Sequence, residues 1–320
     1  MDVILNFLNT TWESIGLPNA EPFGTFHLVC FGLSIVAAIV LCFLWKHEFI
    51  LNPRNVAMVC SIIIFVFDLY EQIISSFIFD GTHYVYEYQW EHFPWQFYFT
   101  PMVIGIIAAL TKNKVYDHFM SYLATYSLTA GLLTMFFPVF GETIGLCTQS
   151  MVSGGVVLAL GVFLFYSRSV HIEHYTIIKA LPILILTVSM AVSFNTFANL
   201  LGLEGFNAFH LNPEIEHNPN DIFIFSSIFN ALRTWEFPWG YIISLVIYVV
   251  GFTAISYLVL LAAIGIRTLI HTDFDAEYAE EDAQRLAEKQ AKERKQVVEA
   301  PVVEAVISSE EDIDEHLIEV

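Results

Sequence analysis

The run Phe67–Gln72, FDLYEQ, places Asp68, Glu71 and Gln72 at offsets of three and four inside an otherwise apolar stretch. On a helix those offsets put the three side chains on one face. Two carboxyls with no basic neighbour in sequence suit proton transfer, general acid–base work or the binding of a cation. The structural alternative is that they stand in the outer third of a helix, within reach of water.

Four further groups repeat this pattern of polar residues in apolar runs. In FPWQFYFTPM, Gln96 and Thr100 are four apart and Tyr98 points to another side. A phenol ionises only near pH 10, so Tyr98 as a nucleophile needs an activating base or a positive charge. Tyr122, Tyr126 and Thr129 share a face, as do Gln149 and Ser153, and Asn195 and Asn199. Buried amides and hydroxyls of this kind commonly bond neighbouring helices, for about 0.6 kcal/mol each. Together they sketch a polar interior open at one end of a bundle. No HExxH, CxxC or other metal-ligand spacing occurs, so neither a metal nor a cofactor is expected. The four cysteines stand apart, and three of them lie in long apolar runs, as small buried hydrophobes do.

The elements that must position these residues are membrane helices. Of 320 residues, 56% are hydrophobic and 14% charged, against about a quarter charged in an ordinary soluble domain. A bilayer core needs about 20 mainly apolar residues per helix. Seven segments qualify: Phe26–Trp45, Asn55–Phe79, Pro94–Leu110, Asp117–Phe140, Gly145–Tyr166, Thr176–Gly202 and Trp239–Ile266. With these boundaries, 12 of the 13 Lys and Arg fall on one side and Arg233 alone on the other. The positive-inside rule then puts the N-terminus outside and the C-terminus in the cytoplasm of a cell-membrane protein. The expected fold is an all-α, polytopic seven-helix bundle.

Three regions follow. Residues 1–23 form an extracytoplasmic segment with a short amphipathic helix, in which Val3, Ile4, Phe7 and Leu8 recur at helical spacing. This segment lacks the basic start and long apolar core of a cleavable signal. Residues 24–267 are the membrane domain. Residues 268–320 are a tail with 16 acids and five bases, helical at first and then disordered. The tail solubilises the chain or docks a protein partner. No basic run suits nucleic acid.

Several motifs carry a family resemblance over roughly Phe26–Ile266. They are Glu71-Gln72, FPWQFYFTPM followed by ALTKNK, SFNTFANLLG with FNAFHLNP, and FPWGYIISLVIY. In this order they resemble the YwaF-like integral membrane proteins, which are similar to eukaryotic membrane acyltransferases that remodel phospholipids. The resemblance implies a lipid-handling scaffold and membrane lipids as partners. It also implies a nucleophilic cysteine in the third span and a basic histidine in the fifth. Aligned on Pro94, Gln96 and Pro101, the cysteine position here is Tyr98. The histidine region is SMVSGG, with Ser153 or Gly154 in that neighbourhood. Three readings follow: a member that binds lipid or an acyl group in an outward-facing polar cavity without the family chemistry; an acyltransferase or hydrolase that uses Tyr98, Glu71 or Asp68; or a proton- or cation-coupled transporter or receptor.

Overall fold

A computed structural model describes residues 2–46, 52–112, 115–167, 170, 173–215, 225–236, 238–270 and positions 283, 284, 287, 290 and 291. The chain divides into two units, Met1–Ala262 and Ala263–Val320. In the first, the elements are α1 (Asp2–Leu8), α2 (Thr25–Lys46), α3 (Pro53–Ser75), the strands β1 (Phe77–Phe79) and β2 (Tyr84–Tyr86), α4 (Thr100–Leu110), α5 (Tyr116–Tyr122), α6 (Leu128–Phe136), α7 (Ile144–Tyr166), α8 (Thr176–Leu201), α9 (Ser226–Arg233) and most of α10 (Trp239–Ile270). In the second unit the described residues are the end of α10 and the helical positions 283, 284, 287, 290 and 291. Most of the expected tail helix and all of the acidic end lie outside the described residues.

Five of these helices, α2, α3, α7, α8 and α10, are long and apolar enough to cross a bilayer. The other two expected spans take different forms. The third is helical only over Thr100–Leu110, 11 residues, or about 16 Å, half the hydrocarbon core. Pro101 sits in its first turn, where a missing N–H costs nothing. The preceding segment is irregular because its backbone serves a distant loop: the Trp95 carbonyl accepts from the Phe209 N–H at 3.0 Å. The fourth is an unbroken helical run over 116–136, with a π-turn at Leu123–Ser127 joining α5 to α6.

The all-α expectation also needs one correction. The second span was expected to reach Phe79, yet α3 stops at Ser75 and a hairpin follows, pairing Phe77 with Tyr86 and Phe79 with Tyr84. Aromatic and β-branched residues on both sides of Asp80-Gly81 favour paired strands over a continued helix. Gly81 takes the left-handed backbone (φ 98°) that the turn requires. The Asp80 carboxylate accepts from the His83 and Thr82 N–H groups and the Thr82 hydroxyl. These bonds hold its pKa down to about 2.

The central helix is α7. Two-thirds of its apolar span is buried (67%), against 11% for α2, so it reads as apolar all round. It packs against α2, α3 and α6. Against α3 it runs antiparallel: Tyr70, near the end of α3, meets Gly145 at the start of α7. The N-terminal segment closes the same end. Thr11 bridges Thr143, the Trp12 indole N–H donates to the Cys147 sulfur at 3.4 Å, and the Tyr70 hydroxyl donates to the Leu8 carbonyl at 3.2 Å. In α1, Leu5 is buried while Val3, Ile4 and Phe7 stay exposed.

His27 anchors the start of α2. The Phe23 N–H donates to its Nδ1 at 2.7 Å, which leaves Nε2 as the donor to the Met135 carbonyl, also at 2.7 Å. Both ring nitrogens are thereby used. It also holds Phe23 in a left-handed conformation (φ 62°), unusual for an aromatic residue. His27→Ala leaves a buried carbonyl unpaired and opens a void. A loss of about 2–4 kcal/mol is expected, read as a lower unfolding temperature in detergent; an unchanged temperature would refute this anchoring role.

Candidate functional site

The polar candidates gather at one end of the bundle, in two neighbouring sets joined by residues 92–99. In the first set, the end of α3 presents Asp68, Glu71 and Gln72 on one face. The Glu71 carboxylate accepts from Gln149 Nε2 on α7 at 2.6 Å and from His92 Nδ1 at 3.2 Å. The other ring nitrogen, Nε2, lies 3.6 Å from the Glu91 carboxylate. Gln72 extends the contact: the Tyr88 hydroxyl donates to its carbonyl oxygen, and its amide donates to the His92 backbone carbonyl. Segment 88–92 is thus held to α3 through three hydrogen bonds.

Asp68 lies one turn deeper and is only 3% exposed, and its Oδ1 has no hydrogen-bond partner among the described residues. A buried, unpaired acceptor is costly, and among the candidates Asp68 shares this state with Gln96 and Ser153. Tyr98 is half-buried and close enough to Asp68 and Glu71 to feel both charges. Its hydroxyl makes no hydrogen bond among the described residues.

The carboxylates raise the basicity of His92. The hydrogen bond to Glu71 contributes most and Glu91 adds to it, while burial works the other way. A raised histidine pKa means that this contact stabilises the fold below the ordinary value of about 6.5, and the contribution fades as pH rises through the raised value. Hydrogen exchange in segment 88–99 should therefore quicken as pH rises from below the ordinary histidine value through the raised one, beyond the intrinsic base-catalysed change. His92→Gln should flatten that excess. An excess that persists in the variant would assign it to another group.

The second set surrounds loop 206–212. Asn195 on α8 grips Ala208 from both sides, accepting from its N–H at 2.8 Å and donating to its carbonyl at 3.0 Å. Gln96 Nε2 donates to the Asn207 carbonyl at 2.8 Å, while its own Oε1 is buried without a partner among the described residues. Asn199 and Asn212 exchange two amide bonds of 3.0 and 2.8 Å. Asn212 also donates to the Phe206 carbonyl and accepts from the Glu214 N–H. Held this way, Phe209 and His210 both adopt left-handed backbones (φ 55° and 56°). The Phe209 ring is fully buried and stacks between Trp95 and Tyr248.

The loop floors a cavity of about 290 Å³, lined by His210, Asn212, Glu214, Arg233, Trp235, Tyr241 and Ser244. Arg233 donates to the Glu214 backbone carbonyl at 3.4 Å. It is the basic residue that the charge map sets apart from the other twelve.

The remaining candidates form pairs or stand alone. Thr100 and Tyr122 share a hydrogen bond of 2.6 Å, and Tyr126 bonds Thr253 on α10 at 2.9 Å. The two tyrosine rings lie 5.3 Å apart around the π-turn. Ser153 is buried with its hydroxyl unpartnered, in the stretch where Gly154 meets Thr134 and Gly155 meets Ser34. His92, which bonds Glu71 from 21 residues away, was not among the residues singled out by the sequence. Sequence reading also missed the roles of Tyr88, Asn207 and Asn212. The clustered asparagines after the Asn195–Asn199 pair were the available signal for the last two. Among known proteins, no family model, curated protein or solved structure matches the chain.

Proposed function

We propose that this chain is a seven-span cell-membrane protein of the YwaF-like type that binds a lipid through its polar headgroup at the outward-facing end. The cavity beside loop 206–212 carries this reading. It joins a guanidinium, an imidazole, an amide and two hydroxyl-bearing side chains with an indole and the Glu214 carboxylate, and its donors suit the phosphate of a headgroup. Its size is near the lower bound of ordinary ligand sites. The strained backbone at His210 is a further support, since such strain concentrates at ligand-holding positions. In this reading α4, the run 116–136 and the five long helices make up the seven spans. The N-terminus lies outside and the acidic tail, a docking segment for a protein partner, lies in the cytoplasm. The family's acyl transfer is absent, because Tyr98 replaces the thiol and no histidine stands in Ser150–Gly155.

Lipid that co-purifies with the protein tests this. Mass spectrometry should find retained anionic phospholipid in the wild type and a several-fold loss in Arg233→Gln. Equal lipid content in the two would overturn the reading. Acyl transfer in nanodiscs, abolished by Glu71→Gln, would establish the enzymatic alternative instead. Reporter fusions at the tail and within 80–93 test the orientation, and a cytoplasmic 80–93 would reverse the map.

The unpaired Oδ1 of Asp68 favours a second reading, a proton- or cation-binding position in a coupled transporter. Gradient-driven uptake in proteoliposomes, lost in Asp68→Asn, would support it. No uptake under any proton or sodium gradient would exclude it.

A further inference from the structure

A second cavity, of about 550 Å³, lies between α2, α3 and α7, and none of the candidate residues above lines it. Its walls are apolar, among them Leu33 and Ala37 on α2, Val56 and Val59 on α3, and Val152 and Val156 on α7. The polar residues on its lining are few and are placed informatively. Ser34, at mid-length, is already satisfied by the Cys30 carbonyl at 2.8 Å. Asn52 and Asn55 stand at the mouth, where α3 begins, and the Asn52 carboxamide oxygen caps that helix by accepting from the Arg54 N–H. The depth comes from a close helix contact: a Cβ on Gly155 would lie 2.2 Å from the Ser34 hydroxyl, so glycine lets the floor sink between the helices.

All three walls are helices long and apolar enough to cross a bilayer. The space therefore opens onto hydrocarbon, and an apolar cavity does not hold water. On α2 the lining runs from Cys30 to Leu41, about 16 Å at helical rise, or one leaflet of a core about 30 Å thick. One end of the groove is polar and the rest is not. These dimensions and this polarity match a single lipid chain whose headgroup rests at the level of Asn52 and Asn55.

We infer that this groove seats one acyl chain of a membrane phospholipid from the leaflet in which α3 begins. The inference rests on the membrane-spanning part of the proposed function and not on the outward cavity. By the distribution of basic residues this is the cytoplasmic leaflet, so the site is separate from the one assigned to Arg233.

The test uses the full chain in nanodiscs containing phosphatidylcholine with a diazirine in mid-chain. After photolysis, labelled peptides are mapped by mass spectrometry. Adducts should concentrate several-fold at 30–41, 52–63 and 151–159 over lipid-facing positions such as Leu200, Val246 and Val250. Ala37→Trp or Val59→Trp, both exposed positions that a larger ring fills from outside, should reduce the groove adducts several-fold. Leu200→Trp should not. Even labelling of every lipid-facing helix, or groove adducts unchanged in both folded tryptophan variants, would overturn the proposal. So would crosslinks from the groove to a second copy of the chain. Arg233→Gln should keep groove labelling, so a failure of the outward site and a failure of the groove read out separately.

Discussion

Asn195→Ala is expected to destabilise the protein by about 2–4 kcal/mol and to abolish the proposed lipid binding at the cavity beside loop 206–212. Side-chain hydrogen bonds inside membrane proteins average only about 0.6 kcal/mol, so the larger figure needs a reason. Asn195 satisfies both backbone groups of Ala208, and its removal leaves two buried polar groups unpaired. The same clamp maintains two successive left-handed residues that are not glycine, Phe209 and His210, each strained by about 1–3 kcal/mol. Without it that strain is released by moving the loop. Phe209 then leaves its place between Trp95 and Tyr248, and His210 leaves the cavity wall. Asn195→Asp keeps the acceptor and loses the donor, so it should fall between. Thermal unfolding in detergent, together with lipid retention, measures both effects. Ser193→Ala is the control, because that exposed hydroxyl bonds only its own helix, at the Ser189 carbonyl. A shift for Asn195→Ala no larger than the control's would show that the loop holds without its clamp.

Gly131→Val should be at least as damaging. A Cβ at Gly131 would lie 2.5 Å from the Leu158 backbone nitrogen, and one at Gly161 would lie 2.7 Å from the Leu128 Cα. The two glycines thus let α6 and α7 touch backbone to backbone at reciprocal points, the small-residue packing common between membrane helices. Overpacking a core usually costs about 1–3 kcal/mol. Here the opposing atoms are main chain on the most buried helix, so the upper end of that range or loss of folded protein is expected, for Gly161→Val as well. Gly32, with nothing near its missing Cβ, supplies the control: Gly32→Ala should be neutral or slightly stabilising. Monodispersity on size exclusion and unfolding temperature would decide. If Gly131→Val behaves like Gly32→Ala, the helices do not cross as closely as described.

The helical membrane character was legible because hydropathy sums over contiguous residues. The five long helices appear where apolar runs of membrane length occur, and Pro101 and Gly202 mark a helix start and a helix end as their backbone preferences require. The misread boundaries have equally local causes. Phe77–Phe79 is as apolar as a helix end, but its partner strand lies beyond a turn that hydropathy averages away. The stretch before Thr100 is as apolar as a span, but its Trp95 carbonyl accepts from the Phe209 N–H and its Gln96 amide donates to the Asn207 carbonyl, contacts that no window over one segment can include.

The site was legible in its parts and not in its assembly. The i, i+4 pairs placed Asn195 with Asn199 and Gln149 with Ser153 on shared faces, as helical geometry demands. Which partner each residue takes was decided elsewhere. Glu71 meets Gln149 from 78 residues away, and Asn199 meets Asn212 through a loop that turns back on its own helix. By itself the sequence determined that this chain is a helical membrane protein and which polar residues its apolar segments must accommodate, since burial in lipid is enforced residue by residue. The tertiary structure alone decided that Asp68 is left unpaired, that the asparagines hold a strained loop, and that Arg233 faces a cavity. Hydrogen bonds and cavities belong to the spaces between elements, and those spaces exist only after the helices have packed.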